Sequence, residues 1–253
     1  MEEFDLIIGI HSIVEALKNK NRVHYKLVAT EEGLEELNKS IKTNDLKVEL
    51  LASHKLQEEA KGYFRELDLE YHRVPSGVFL LSSKLEIHDV KYLYNLIGKP
   101  TPLKILCLDQ VTDVHNAAAI LRTASFYGVD AVVVPDKKSF GLTPSFFRIA
   151  SGAAESVPLV GVNKLTKTIT KLKEMGILCV ALSEHASEDL PTKLIENEKG
   201  GMALVLGRED VGISNAVLRV IDHHISLKSQ GDIKSLNVSI AAAICMEKCF
   251  KNL

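Results

Sequence analysis

Hydrophobic positions follow two different patterns along this chain, one before and one after about residue 100. In the first part, short apolar runs alternate with amphipathic segments that have the spacing of one helical face. The runs predicted as strands are DLIIG, YKLVAT, KVELLAS and LEYHRVP. The segments predicted as helices are HSIVEALKNK, EEGLEELNKSIK and SHKLQEEAKGYFREL. This order predicts a small α/β unit, whereas the stretch from Val74 to Leu96 has no regular pattern.

The second part has near-continuous apolar runs in place of alternating ones. These runs are KILCLD, DAVVVP, ESVPLVGV, GILCVAL, MALVLG and HHISL. Runs without alternation indicate strands that are covered on both faces, so they predict a mostly parallel sheet with helices on both sides. The segment IGKPTP, residues 97–102, combines a glycine with two prolines and predicts a boundary. We therefore expect two domains, 1–97 and 103–253.

Composition and charge narrow the class of protein. The 253 residues are 46% hydrophobic and 25% charged, which is typical of an ordered globular protein. The net charge of −2 excludes a chain that holds nucleic acid by overall positive charge. Local basic clusters remain open, with ordinary solvated surface as the alternative. The basic residues in predicted loops near strand ends are Lys137, Lys138, Arg148, Arg208, Lys228 and Lys234.

The cysteines and the termini suggest no metal and no membrane. The four cysteines, Cys107, Cys179, Cys245 and Cys249, lie among apolar residues without a zinc-binding spacing. We expect buried, reduced thiols in a cytoplasmic protein. No apolar run is long enough to span a bilayer, and the acidic N-terminus lacks a signal-peptide pattern.

The first group of residues that suggests chemistry follows the strand KILCLD. Asn116 and Arg122 lie six residues apart on the next predicted helix, about 120° apart around its axis. Arg122 stands among small apolar residues, and a buried guanidinium without a partner is too costly. It must therefore face a ligand or pair with a structural carboxylate such as Asp113 or Glu209.

Two further groups follow later strands. Gly207 ends an apolar strand, where the missing side chain would let the backbone approach a ligand, and Glu209 follows in a turn. The alternative is an ordinary surface turn before a helix capped by Ser214. Ser235 and Asn237 precede a helix of small residues, and either could be only a helix N-cap.

Together and in this order, the three groups resemble the motifs of the SpoU-type RNA ribose 2′-O-methyltransferases, the TrmH family of the SPOUT superfamily. The matching segments are DVHNAAAILRTA (113–124), LVLGREDVGIS (204–214), ISL (225–227) and SLNVSIAA (235–242). GAAESVPL, residues 152–159, also looks like the family. Chain length, the two-domain layout and the segment GIHSIVEAL are similar to the 23S rRNA guanosine 2′-O-methyltransferases within it.

The resemblance implies a fold and a set of partners. The fold would be an α/β sheet with a deep trefoil knot, preceded by a small RNA-binding α/β domain like ribosomal protein L30e. The cofactor would be S-adenosylmethionine, and the chain would act as a homodimer on RNA, 23S rRNA in preference to tRNA. The helix of small residues after Asn237 would supply a close-packed dimer interface, although packing within one subunit explains it equally well.

The resemblance also assigns roles to residues by their motif positions. Main-chain groups around Gly207, Leu227 and Leu236 would bind the cofactor, and the catalytic set would be Arg122, Asn116, Glu209, Ser235 and Asn237. Arginine is too basic to act as a general base, so we expect Arg122 to hold the adjacent phosphate and to stabilise the developing alkoxide. The other four would orient Arg122, the ribose and the loop.

Three departures and two alternatives accompany this resemblance. Val114 replaces the family's usual proline and Ala118 its usual glycine, and neither change removes a reactive group. The family's His-Gln-Gly segment is Ile87–Val90 here, which leaves the RNA target open between 23S rRNA and tRNA. A catalytically silent RNA-binding member is the first alternative, and the intact polar set argues against it. A dinucleotide-binding dehydrogenase is the second, and the chain lacks its GxGxxG signature.

Overall fold

A computed structural model describes residues 3–43, 46–98, 100–183, 186, 200–233, 235–251 and 253. By internal packing the chain divides into two compact units, residues 1–85 with 142–156 and residues 86–141 with 157–253. These are units of packing, and the functional domains 1–97 and 103–253 stay a prediction.

The first unit is a four-stranded mixed sheet with helices. Its strands are β1 (Phe4–Ile8), β2 (His24–Ala29), β3 (Val48–Leu50) and β4 (Val78–Ser83). Its helices are α1 (Ile10–Lys18), α2 (Glu31–Asn38), α3 (Ser53–Glu66), α6 (Pro144–Ala150) and α7 (Ala153–Ser156). The strand order is β1-β4-β2-β3, with β4 antiparallel to both neighbours and β2 parallel to β3. The small α/β unit expected here is therefore present.

The fourth strand is not the segment that the sequence predicted. LEYHRVP (69–75) was expected to be a strand, but residues 69–74 have no regular structure. The side chain of Gln57, on α3, explains the difference. It hydrogen-bonds both main-chain groups of Val74, with its Oε1 accepting from the amide at 2.9 Å and its Nε2 donating to the carbonyl at 3.0 Å. These polar groups are satisfied without a neighbouring strand, and Val78–Ser83 pairs in the sheet instead.

A buried ion cluster fixes α6 and α7 within the first unit. The guanidinium of Arg22 donates to Asp5 at 2.7 Å and to Glu155 at 2.6 Å, and all three side chains are almost fully buried. Burial raises the pKa of Asp5 despite this pairing. Arg22 also lies over the ring of Phe147, whose carbonyl accepts a 2.5 Å hydrogen bond from Ser12. Residues far apart in sequence are thus joined by contacts that no local pattern reveals.

The second unit contains the six-stranded parallel sheet. Its strands are β5 (Leu103–Asp109), β6 (Ala131–Pro135), β7 (Leu159–Val162), β8 (Leu178–Leu182), β9 (Gly201–Gly207) and β10 (His223–Ile225). They lie in the order β10-β8-β9-β5-β6-β7, and every neighbouring pair is parallel. All six apolar runs predicted as strands are confirmed.

Helices cover this sheet on both faces, as its continuous apolar runs predicted. They are α4 (Val90–Leu96), α5 (Val114–Phe126), α8 (Leu165–Glu174), α9 (Asn215–Leu218) and α10 (Val238–Phe250). Helices α4, α8 and α9 contribute to one hydrophobic cluster with the sheet, while α5 packs against α10, which contacts β9. Every residue of β9 is buried, so the central strands are screened from water on both sides.

The four cysteines are buried and free, which confirms the prediction for them. Among the described residues, no helix has the length and apolar character needed to cross a membrane.

Candidate active site

The candidate site begins where two neighbouring strands of the parallel sheet end. Asp109, the last residue of β5, is the register partner of Gly207, the last residue of β9. Because carboxyl ends of parallel strands meet at one edge, the segments that follow begin next to each other. The structure therefore brings the first two sequence motifs to one place.

Two aspartates that were not among the predicted site residues position these segments. Asp109 is buried, and its carboxylate accepts a 2.7 Å hydrogen bond from the amide of Ser214 in the turn after β9. Asp113 is the N-cap of α5 and accepts a 2.8 Å hydrogen bond from the amide of Asn116. An aspartate three residues before Asn116 is the spacing of a helix cap, and this signal could have identified Asp113.

Side-chain hydrogen bonds join Asn116, Glu209 and Asn237 from the three motifs. The side-chain nitrogen of Asn237 donates to Oδ1 of Asn116 at 2.9 Å and also to Oε1 of Glu209. That glutamate oxygen further accepts from the amide of Val238 at 3.3 Å. An amide nitrogen carries two hydrogens, so both donors of Asn237 are used.

Asn237 is also the N-cap of α10. Its Oδ1 accepts hydrogen bonds from the amide of Ser239 at 2.9 Å and from the hydroxyl of the same residue at 2.5 Å. The capping role, considered as an alternative to a site role, is therefore present together with the contacts to Asn116 and Glu209. Ser214 occupies the N-cap position of α9, but its side chain makes no capping hydrogen bond.

An open cleft of about 230 Å³ lies beside this cluster. Six of its eight lining residues are polar or charged, and the lining comes from the ends of β5 and β9 and the starts of α5 and α10. The lining residues are Val111, Thr112, Asp113, Asn116, Arg208, Glu209, Asp210 and Val238. Arg208 forms an ion pair with Asp210, which lowers the pKa of that carboxyl. This arginine is thus locally neutralised, while Glu209 and Asn116 present polar atoms near the cleft.

Arg122 does not match the environment that the sequence argument assumed. It was expected to be buried and therefore in need of a partner, but its side chain is exposed. The 120° rotation from Asn116 around α5 explains this, because Asn116 faces inward and Arg122 outward. Among the described residues Arg122 has no ion pair, neither with Asp113 nor with Glu209. The structure leaves its guanidinium available to a ligand.

Ser235 is the other candidate that lies apart from the hydrogen-bonded cluster. It is exposed and, within the described parts of the chain, has no hydrogen-bond partner. Among the basic residues expected near strand ends, Arg148, Lys137, Lys138 and Lys228 are exposed. Lys234 lies outside the described residues.

The packing of the chain itself explains why position 207 is a glycine. A Cβ atom at this position would lie 2.2 Å from the carbonyl carbon of Gly212 and 2.3 Å from the amide nitrogen of Ile213. The turn is closed by two main-chain hydrogen bonds between Arg208 and Gly212, at 3.0 and 3.1 Å. The backbone that approaches Gly207 is thus the chain's own turn, and contact with a cofactor stays a prediction.

Leu227 and Leu236, the two leucines predicted to bind the cofactor, lie in segments without regular secondary structure. In the part of the chain that the structure describes, the main-chain groups of Leu227 and Leu236 have no hydrogen-bond partner. The side chain of Leu236 is 52% exposed. Binding of the cofactor by these main-chain groups stays a prediction. Elsewhere, no cluster of three or more metal-ligating side chains occurs among the described residues.

Comparison with known proteins places this site in a family. The model of the SpoU rRNA Methylase family matches residues 104–247, more than half of the chain. The chain belongs to the SpoU rRNA methylase family. All eight predicted site residues lie within the stretch that matches the SpoU family, although their individual roles stay predictions.

Full-length relatives and a solved structure agree with membership in the SpoU family. The 23S rRNA (guanosine-2′-O-)-methyltransferase RlmB of Pseudomonas putida is 32% identical over 247 residues, 97% of this chain and 96% of the relative. The protein of the same name from Pseudomonas aeruginosa is 33% identical over 248 residues, with 97% and 96% covered. The SpoU methyltransferase AviRb from Streptomyces viridochromogenes, crystallised with AdoMet, has a TM-score of 0.76 at 19% identity. That comparison covers 98% of this chain and 90% of AviRb, and it shows a shared fold.

Proposed function

We propose that this SpoU-family protein transfers a methyl group from S-adenosylmethionine to a ribose 2′-hydroxyl of RNA, at a guanosine of 23S rRNA. The observation that carries the proposal is the hydrogen-bonded cluster of Asn116, Glu209 and Asn237, which joins three motifs beside one open cleft. Relatives that match nearly the whole chain are named as enzymes of this reaction on 23S rRNA.

The cofactor residues are proposed from their main-chain groups. We assign binding of the adenosine to the main-chain groups of Leu227 and Leu236, which have no partner among the described residues, and to the turn that packs on Gly207. When bound, S-adenosylmethionine supplies a methyl group that is activated by its positively charged sulfur. The protein's remaining task is to position the ribose and to make its hydroxyl more nucleophilic.

Arg122 is the residue that we assign to the hydroxyl. Its guanidinium stays protonated, so it cannot remove the proton, but it can bind the neighbouring phosphate and stabilise the negative charge that develops on the 2′-oxygen. Asn116, Glu209 and Asn237 hold the turn after β9 and the starts of α5 and α10 in place. We assign to Ser235 a role in orienting the ribose. Because Arg122 is exposed and unpaired among the described residues, binding RNA costs it no existing ion pair.

Fold details and assembly belong to the same proposal. We assign residues 1–97 to RNA binding on an L30e-like domain, and 103–253 to a methyltransferase domain with a C-terminal trefoil knot. A homodimer is supported by two exposed apolar side chains, Phe126 on α5, which is 83% exposed, and Ile240 on α10, which is 52% exposed. The RNA substrate places the activity in the cytoplasm. Light scattering of the purified protein measures the dimer directly.

A mapping experiment tests the reaction and the target together. Primer extension at low nucleotide concentration on 23S rRNA and tRNA, from cells with and without the protein, reports each 2′-O-methyl group as a pause. We expect one pause in 23S rRNA to vanish without the protein and to return with the native chain. A pause that vanishes in tRNA would favour the tRNA alternative. If no pause changes and purified protein incorporates no labelled methyl into RNA, the chain is a silent RNA-binding member.

A further inference from the structure

Four exposed lysines follow the carboxyl ends of two neighbouring strands in the parallel sheet. Lys137 and Lys138 come directly after Asp136, which follows the end of β6, and Lys164 and Lys167 come after the end of β7. All four side chains are exposed. The segments after β6 and β7, including the first turn of α8, therefore present positive charge on the edge of the sheet where the candidate site lies.

The strand register fixes where these loops stand relative to the cleft. Asp109 pairs with Gly207, and Pro135 at the end of β6 pairs with Val162 at the end of β7. β5 and β6 are neighbouring strands, and their register runs from Ile105 with Ala131 to Cys107 with Val133, two residues before Asp109 and Pro135. Neighbouring strands are about 4.8 Å apart, so the lysine loops begin roughly 5 and 10 Å along the edge from Asp109. The residues that line the cleft follow Asp109 and Gly207, so the cleft lies at the β5 end of this row.

The four lysines also lack the carboxylates that neutralise other lysines of the same unit. Lys171, Lys173 and Lys251 have carboxylate partners at 3.1, 2.5 and 2.6 Å. Within the described residues, no ion pair involves any of the four lysines that follow β6 and β7.

Few acidic residues lie next to these lysines along the chain. Asp136 is the acidic residue of the segment DKKSFG, and the first turn of α8 has none. The carboxylate of Asp136 lies over Gly161, where a Cβ would come within 2.9 Å of it. Four positive charges against the carboxylate of Asp136 make the segments after β6 and β7 basic on a chain whose net charge is −2, while the acidic residues Asp113, Glu209 and Asp210 lie at the cleft.

We propose that Lys137, Lys138, Lys164 and Lys167 bind successive phosphates of the RNA strand that carries the target nucleotide. Since the whole chain is slightly negative, overall attraction cannot hold RNA, and a local basic row beside the cleft has to do so. A nucleic-acid strand carries one charge about every 3.4 Å, so an edge of roughly 10 Å faces about three phosphates. This inference rests on the proposed function, because it names the surface that holds the same substrate.

The salt dependence of RNA binding tests the row. The probe is an in vitro transcript of 23S rRNA, and binding is measured over a range of salt concentrations. The variant carries Lys137→Gln, Lys138→Gln, Lys164→Gln and Lys167→Gln, which remove the charge but keep a polar, unbranched stem. The matched control is Lys171→Gln, on the same helix α8 as Lys167→Gln but already paired with Glu174. Circular dichroism checks that both proteins are folded.

We expect the magnitude of the slope of log affinity against log salt to fall by about 0.7 to 0.9 for each phosphate contact removed, about 2 to 3 in total for the roughly three phosphates that the edge faces. The control should keep the native slope, and the same four positions changed to arginine should keep it too. An unchanged slope in the glutamine variant, an equal fall in the control, or an equal fall in the arginine variant would each overturn the proposal.

Failure of the lysine row can be told apart from failure of the proposed reaction. Methyl transfer by the native protein is assayed on the same transcript with labelled cofactor. If the native protein transfers no methyl group but the slopes differ as expected, the reaction is wrong and the phosphate-binding row stands. If it transfers methyl groups and the slopes do not differ, the row is wrong and the reaction stands.

Discussion

The side-chain amide of Asn237 donates a 2.9 Å hydrogen bond to Asn116, a residue 121 positions earlier in the chain. The same nitrogen donates to Glu209, and the side-chain oxygen caps α10. One asparagine thus fixes the start of α10, the turn after β9 and the first turn of α5. Its side-chain nitrogen holds the cluster and its side-chain oxygen caps the helix, so substitutions can separate the two roles.

Changing Asn237 to alanine and to aspartate distinguishes the cap from the cluster. Alanine removes both, and we expect the free energy of unfolding to fall by about 1 kcal/mol and methyl transfer to be lost. Aspartate keeps the cap but has no hydrogen to donate and repels Glu209, so methyl transfer is lost with a smaller loss of helix capping. Urea unfolding and a labelled-methyl assay measure the two effects. Ser214→Ala is the stability control, since that serine makes no capping bond. Full activity in the aspartate variant would contradict the donor role.

Arg122→Ala should remove activity without affecting stability. The side chain is exposed and unpaired among the described residues, so we expect the free energy of unfolding to change by less than about 0.5 kcal/mol. Loss of a group that stabilises the developing oxyanion lowers the rate by about 100-fold or more. Calorimetry should find cofactor affinity unchanged. The control is Arg219→Ala, another exposed arginine of the same unit. Substantial methylation by the Arg122 variant would overturn its assigned role.

The sequence predicted the parallel sheet well because each of its strands is an uninterrupted apolar run. It failed at LEYHRVP, where Gln57 satisfies both main-chain groups of Val74 through a contact that depends on how α3 packs. The strand Val78–Ser83 was hidden in a stretch with mixed turn and apolar residues. Local pattern thus identifies strands where burial alone decides them, and fails where a side chain competes for the backbone.

The candidate site was only partly predictable for a related reason. The motifs placed Asn116, Glu209 and Asn237 together by resemblance, but no local spacing reveals a contact across 121 residues. The exposure of Arg122 was misjudged because small apolar residues surround it in sequence, and such a helix does not show which side faces water. The ion pair between Arg22 and Glu155 was equally invisible, since its partners are 133 residues apart.

Gly207→Ala should disturb the turn after β9 more than its size suggests. The new methyl group would lie 2.2 Å from the backbone of Gly212, where nothing flexible can yield, so the turn that carries Glu209 must shift. We expect a loss of about 1 to 3 kcal/mol in unfolding free energy and weaker cofactor binding in calorimetry. Gly62→Ala is the control, because no atom lies within 4 Å of its added methyl and alanine favours the helix. Equal behaviour of the two variants would show that the turn tolerates the methyl group.

Alkaline pH should destabilise the protein through its buried thiols. Burial raises the pKa of Cys179, Cys245 and Cys249 to about 12, whereas a thiol in an unfolded chain ionises near about 8.5. The folded pKa is the higher one, so the stability from these thiols is complete below about pH 8.5 and is lost as the pH rises towards 12. Each thiol adds a slope of about 1.4 kcal/mol per pH unit in this window.

Urea unfolding under reducing conditions at pH 7.5, 9 and 10 measures this slope, with Cys249→Ala as the comparison. The alanine variant loses packing at every pH but has one titrating thiol fewer, so its deficit relative to the native protein should shrink as the pH rises. A deficit that stays constant would show that Cys249 does not titrate differently in the folded and unfolded states.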